Sequence, residues 1–339
     1  MRSLITGRNA WLAGSLGVLA AVLAVASLQL QSVDEWISSS EKSQRAANTT
    51  REKTGSGESR FRPAQDELAQ LESEVRGISA SHRGEYGVVL WRPGSEARVA
   101  LRSEERFESA SLAKLPVLLA LHREAKRGDL SLDERIEITP SDIRPGTGKL
   151  NNQPPGTTIT LRECARYLMQ ESDNTAWAML EDRLGIDRMR AELDNAGARS
   201  TDYEYAGHST TPNDTLKMLQ KISDPGYTSP RYSRQMLASM TNTSFEDWLP
   251  QGLPREAGIS HKIGILGDDF ADAGVVYPPE GEGSPEPYYI VVLARGTTEP
   301  QARSAMQDIS LAAYRSFVDP GAEPRFGPES PRALLDERQ

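Results

Sequence analysis

The chain has 339 residues, and 39 Lys and Arg against 48 Asp and Glu give a formal net charge of -9. An acidic balance offers no electrostatic support for a nucleic-acid partner or an anionic lipid surface, and the length suits one large domain or two small ones. Cys164 is the single cysteine, which excludes an internal disulfide and a Cys-based zinc cluster. The four histidines show no H-E-x-x-H spacing, so neither a metal nor another cofactor is expected.

Arg2 and Arg8 precede WLAGSLGVLAAVLAVASL, residues 11–28, an uncharged stretch about as long as a membrane-crossing helix. It reads as an uncleaved anchor, or as a signal peptide cut after Ala26, within residues 1–30. Positive charge on its N-terminal side places the rest of the chain outside the cytoplasm. Residues 31–62 are polar and lack apolar periodicity, so they read as a flexible stalk. A folded domain is expected over residues 63–318, followed by a loose Pro- and charge-rich tail, 319–339.

From Pro63, the spacing of Leu68, Leu71, Val75 and Ile78 predicts an amphipathic helix ending near Gly77. YGVVLW (86–91) and ARVAL (97–101) predict a hairpin around Pro93-Gly94. Helical spacing then recurs over 111–127, 131–135, 160–170, 174–184, 186–196 and 212–222. SHKIGIL (260–266), DAGVVY (272–277) and YYIVVLAR (288–295) predict three strands, and 300–317 a closing helix. Helix, two strands, a helical insert, three strands and a helix predict an α+β, two-lobed fold. Its antiparallel five-stranded sheet is flanked by the terminal helices and packed beside an all-helical lobe.

Within ESASLAKLPVLLAL (108–121), Ser111 and Lys114 are three residues apart and share a helix face. A lysine drawn into a partly buried pocket loses charge, and the resulting amine can take a proton from a serine hydroxyl. Pro116 supports a helix that starts close to Ser111, since proline is tolerated in the first turn. Alone, the tetrapeptide also fits an N-cap serine with a lysine reaching solvent. Ser172-Asp173-Asn174 joins two helical patterns, where polar caps suffice as an explanation. Ser172 can also relay a proton, Asn174 can hold an acyl side chain and Asp173 can brace the loop. Lys262 lies in a β-run beside Gly264, where a ligand backbone can approach closely.

Three weak signals in one chain order, on helix, loop and strand, reinforce one another. The motifs S-L-A-K (111–114), S-D-N (172–174) and H-K-I-G (261–264) resemble those of the penicillin-recognising serine hydrolases, in their class A β-lactamase-like branch. E-S-D-N-T-A-W-A-M-L and S-T-T-P-N-D (209–214) extend the resemblance, and the element order agrees from about Pro63 to Phe317. The resemblance implies an acyl-enzyme formed at Ser111 with β-lactam or D-Ala-D-Ala-type amides, with Lys114 as activating base and Ser172 as proton relay. Asn174 would contact the substrate amide, and Lys262 would stabilise a substrate carboxylate and tune the Ser172 hydroxyl. Gly264 would admit the substrate, and the backbone N–H groups of Ser111 and Ile265 would form an oxyanion hole. A monomer is expected.

Two departures qualify it. Ile263 stands where the family has Thr or Ser, so a hydroxyl for the substrate carboxylate is missing, at a cost of about 1.5–3 kcal/mol. No E-x-x-L-N loop follows S-D-N, and neither Glu192 nor Glu204 has its Leu-Asn sequel, so the family's deacylating glutamate is absent. A catalytically silent module sensing β-lactams or cell-wall peptide, and a structural envelope protein, stay open. Gly146-Thr147-Gly148-Lys149 lacks the first glycine and the Ser/Thr of a phosphate loop; the stretch reads as turn chemistry that joins helices of the lobe carrying S-D-N and could border the cleft. Trp177 and Met179 read as core.

Overall fold

The computed structural model describes residues 65–95, 98–204, 207–279 and 284–325. The predicted anchor, the stalk and residues 326–339 lie outside the described residues. In chain order, α1 (Gln65–Ser81) leads into β1 (Glu85–Trp91), β2 (Val99–Leu101) and β3 (Phe107–Glu108). A 3-10 turn (Ala110–Ala113), α2 (Lys114–Arg127), β4 (Arg135–Glu137) and β5 (Thr158–Thr160) follow. Next come α3 (Leu161–Gln170), α4 (Asn174–Leu184), α5 (Ile186–Ala196), β6 (Asp202–Glu204), β7 (Gly207–Thr210), α6 (Pro212–Ser223) and α7 (Pro230–Ser239). The chain returns through β8 (Gly258–Leu266), β9 (Asp269–Tyr277) and β10 (Tyr288–Arg295) to α8 (Glu299–Phe317).

The five long and short strands of the main sheet run in the order β2-β1-β10-β9-β8, all antiparallel. Both faces of the sheet are buried. Ile290 and Val292 belong to a core shared with α1 and α8, whereas Val291 and Leu293 belong to a second core shared with the helical lobe. That period of two, with apolar residues on both sides, is why β10 reads as an unbroken apolar run. The expected α+β architecture is present, with β8 left as an edge strand facing the helical lobe.

Local chemistry accounts for the helix starts. Thr160 and Glu163 form a reciprocal capping box on α3. Asp173 caps α4 through Ala176 N–H. Thr211 caps α6, with Pro212 in its first turn.

Three expectations need correction. The first helix passes Gly77 and ends at Ser81, because nothing in its surroundings requires a break there. Residues 131–135 are not helical: the Leu132 and Glu134 carbonyls accept Arg162 and Leu161 N–H at 2.9 Å each, and the chain runs on into β4. Those bonds to the start of α3 outweigh a weak local helical preference. The tail expected to be loose from Asp319 is docked as far as Arg325. Ala322 joins the α1/α8 core, and Arg325 Nη2 donates to Ala257 O at 3.0 Å. Among the described residues no helix is long and apolar enough to cross a membrane.

Candidate active site

Ser111 lies in the 3-10 turn, one turn ahead of α2, and Lys114 is the first residue of that helix. A 3-10 turn has three residues per turn, so residues three apart eclipse each other. This is how the chain sets Lys114 Nζ 3.1 Å from Ser111 Oγ. Pro116 falls in the first turn of α2, where its missing N–H costs nothing.

Lys114 has no accessible surface. Its Nζ also lies 2.6 Å from Ser172 O, 3.0 Å from Ser172 Oγ and 2.9 Å from Asn174 Oδ1. The Ser172 carbonyl can only accept. So can Asn174 Oδ1, whose orientation is fixed because Asn174 Nδ2 donates to Pro145 O at 3.0 Å. A neutral amine has two hydrogens and one lone pair. With both hydrogens committed to those two oxygens, the lone pair is left for a hydroxyl proton from Ser111 or Ser172. Burial, and then the neighbouring Lys262, push the Lys114 pKa well below its ordinary value, against Asp173 and Glu181, which pull it up. The remaining side of the amine is covered by the Trp177 ring, 4.9 Å from Nζ to centroid.

The S-D-N corner is held by the loop read as turn chemistry. Asp173 is fully buried and accepts the N–H groups of Lys149 at 2.6 Å and Leu150 at 2.8 Å, besides Ala176 at 2.9 Å. It braces the loop, as the sequence implied. Thr147 Oγ1 donates to Ser172 O at 2.7 Å, the same carbonyl that accepts from Lys114. Gly148 has φ +119, and a Cβ there would come 2.2 Å from Asp173 Oδ2, so only glycine fits.

Two of the four non-glycine residues with positive φ among the described residues fall at the chemistry, the others being Arg102 and Asn242. Ala110 (φ +43) and Ser172 (φ +50) occupy the left-handed region, which costs a non-glycine residue roughly 1–2 kcal/mol. Packing holds Ala110 there: a Cβ on Gly264 would lie 3.0 Å from Ser109 O and 3.2 Å from Ser111 N. Gly264 thus lets the backbone of β8 approach the nucleophile turn. His261 N–H donates to Met240 O at 2.8 Å, away from β9. Strand alternation sends the Ile263 and Ile265 N–H groups to that same open edge, beside Ser111 N–H.

Lys262 is fully buried, and burial pushes its pKa down to about 7, with Asp272 pulling the other way. Its Nζ donates to Ile263 O at 2.8 Å, while the Ser172 hydroxyl is held by Lys114. Lys262 was expected to tune the Ser172 hydroxyl; its electrostatic effect on the centre is seen at Lys114, whose pKa it lowers as the second cause after burial. Ile263 is 3% exposed and packs in the α1/α8 core, so its side chain offers the cleft nothing.

The structure therefore gathers Ser111, Lys114, Ser172, Asn174 and Gly264 into one neighbourhood, with Lys262 in electrostatic range and the Ile265 backbone at its edge. Glu192 and Glu204 lie elsewhere. Glu192 is tied to Tyr227 and to Arg123, and Glu204 to Arg190. Trp177 packs on the core as expected, yet it also caps Lys114, a contact no spacing rule signals. Its Nε1 donates to Tyr203 Oη at 2.9 Å, and that hydroxyl donates to Glu181, whose pKa burial raises. Thr147 was likewise missed; the one hint was a glycine-flanked threonine in a loop beside the S-D-N lobe. Among the described residues no group of three or more His, Cys, Asp or Glu side chains could hold a metal ion.

Residues 70–317 match the Beta-lactamase enzyme family. The chain belongs to that family. It is a serine hydrolase of the class A β-lactamase-like kind. It is 28% identical to β-lactamase VEB-1 of Pseudomonas aeruginosa over 62% of this chain and 79% of that one. It is 26% identical to a β-lactamase of Streptomyces fradiae over 70% and 83%. The solved structure of PBP-A superposes with a TM-score of 0.69 at 27% identity, covering 74% of this chain and 96% of PBP-A. A variant of PBP-A, solved as an acyl-enzyme complex with penicillin G, superposes with a TM-score of 0.68 at 26% identity, over 74% and 97%.

Proposed function

We propose that this serine hydrolase forms an acyl-enzyme at Ser111 with β-lactams and D-Ala-D-Ala-type amides, outside the cytoplasm, held by its N-terminal apolar segment. The supporting observation is the fully buried Lys114 Nζ, 3.1 Å from the Ser111 hydroxyl, with the Ser172 carbonyl at 2.6 Å and Asn174 Oδ1 at 2.9 Å placed to accept its hydrogens.

The chemistry runs as follows. Ser111 Oγ bonds to the carbonyl carbon as its proton passes to Lys114 Nζ. The oxyanion meets the N–H groups of Ser111 and Ile265, donors already in place before charge develops. The C–N bond then breaks, and the leaving nitrogen takes a proton through the Ser172 hydroxyl, which lies 3.0 Å from Lys114 Nζ. Asn174 faces the acyl side, and Lys262 supplies charge at the far end of the cleft.

Return of the enzyme is the slow half. No carboxylate hydrogen-bonds Lys114 among the described residues, and Glu181 stands behind Trp177 and Tyr203. With no base poised on a second water, the acyl group outlives the acylation step, which suits transfer to an amine or slow hydrolysis better than rapid β-lactam destruction. A fluorescent penicillin followed by denaturing electrophoresis tests this. The wild type is expected to give a covalent band that Ser111→Ala loses and that fades slowly after a chase. No band in the wild type would contradict the reading.

A further inference from the structure

Behind Lys114 three side chains form a hydrogen-bonded chain that ends on a carboxylate, and its use depends on the acyl-enzyme reading. The Trp177 ring covers Lys114, 4.9 Å from Nζ to centroid, close enough for a cation–π attraction once the amine carries a proton. Trp177 Nε1 donates to Tyr203 Oη at 2.9 Å, and that hydroxyl donates to Glu181 Oε1. Trp177 and Glu181 are four residues apart on α4, so one helix face carries both ends of the chain, and β6 brings Tyr203 between them. His208, opposite Tyr203 across β6 and β7, stands against both rings, 5.3 Å from Trp177 and 4.8 Å from Tyr203 between centroids. Hydrogen bond and ring contact together hold the indole over the amine.

Hydrogen bonds in a row polarise one another, most strongly when the last acceptor is charged. A carboxylate at Glu181 draws the Tyr203 proton, leaves more negative charge on Tyr203 Oη, and so draws the Trp177 N–H in turn. The indole then offers Lys114 a more electron-rich face. We infer that Glu181 and Tyr203 are positioning residues that act through Trp177 to stabilise the lysinium formed when Ser111 gives up its proton. No proton moves along the chain: the one that leaves Ser111 Oγ stops at Lys114 Nζ. A base of this kind must be neutral before the transfer and cationic after it. Burial supplies the first condition and the chain the second. Burial and then Lys262 on β8 lower the Lys114 pKa, while Asp173 and Glu181 raise it. Burial raises the Glu181 pKa, and hydrogen bonds from Tyr203 and Trp177 favour its ionised form; Asp182 and Arg144 are the other charges that act on it. On the β7 side, burial lowers the His208 pKa and Glu204 raises it.

Glu181→Gln removes the charge and keeps the shape, whereas Tyr203→Phe breaks the chain and keeps the charge. In full chains labelled at lysine, NMR of the carbon next to Nζ reads the Lys114 titration midpoint. Acylation by benzylpenicillin is read as mass gained on the peptide containing Ser111. Glu181→Gln is expected to lower the titration midpoint by about half to one pH unit and the acylation rate by about three- to tenfold. Tyr203→Phe is expected to move both in the same direction, by about half as much. A merely structural role would slow acylation and leave the Lys114 midpoint where it is. If Glu181→Gln leaves that midpoint unmoved, or shifts it while Tyr203→Phe does not, the carboxylate does not act through Trp177, and the inference fails with the acyl-enzyme intact. If benzylpenicillin adds nothing to Ser111 of the wild type, the acyl-enzyme reading falls and this inference with it.

Discussion

Two buried lysines, Lys114 on α2 and Lys262 on β8, lie in electrostatic range of one another and are treated differently. Both have no accessible surface and both have depressed pKa values, with burial as the first cause. Around Lys114 the chain places a carbonyl, an amide oxygen and two hydroxyls, all within 3.1 Å. Around Lys262 it places one carbonyl, at 2.8 Å. Burial lowers both pKa values; the arrangement of neighbours decides which lysine has a hydroxyl proton within reach. Lys114 is equipped to move protons, and Lys262 to set the potential in which that happens.

The widest separation between the two is expected at the base itself. Lys114→Arg keeps a cation but cannot act as a base, and should slow acylation by about 10²–10⁴-fold in a stopped reaction with penicillin. Lys262→Arg, by contrast, keeps a cation beside Lys114 and should retain most of the acylation rate in the same assay. Asn174→Ala removes one of the two acceptors that orient the amine, and a loss of about ten- to a hundredfold is expected. Thr147→Val deletes one of two hydrogen bonds on the Ser172 carbonyl and leaves the other. Its cost should be about 1 kcal/mol, seen as a slower acylation rate with little change in thermal midpoint.

The smallest effect lies behind Lys262. His261 is fully buried, pairs with Asp272 at 2.8 Å, contacts Thr243 Oγ1 at 2.9 Å and lies 3.6 Å from Glu246. Burial lowers its pKa, but the two carboxylates more than offset this and raise it to about 9. A raised folded-state pKa gives stability that is fully present below about pH 6.5 and lost as pH rises through 9. The difference in melting temperature between wild type and His261→Asn should therefore shrink between pH 6.5 and 9. A constant difference across that window would show that His261 is not charged in the folded protein.

The same contrast shows what was legible in the residues. S-x-x-K, S-D-N and H-K-I-G are each short, but their order on helix, loop and strand was readable, because each motif sits on an element with a strong local signal. Pro116 marked the start of α2, and the Ser172 corner was marked by the caps of α4. The β10 run was legible to the residue, since apolar side chains fill both faces. The small hairpins β4-β5 and β6-β7 were not, because strands of three or four residues carry too few positions for a period to show. α7 was missed as a separate helix despite Ser229 and Pro230 at its start. Within the site, the contacts of Trp177 and Thr147 with the catalytic corner depend on how a helix and a loop dock, which spacing along the chain does not encode.

The charge state of Lys114 carries the whole account. Selective isotopic labelling of lysine, with the Nζ-adjacent carbon followed by NMR through a pH titration and assigned by Lys114→Arg, measures it directly. The account predicts an amine that loses its proton well below the ordinary lysine range and a penicillin acylation rate that rises along the same curve. A Lys114 that titrates at its ordinary value, in a protein that still acylates at Ser111, would contradict it.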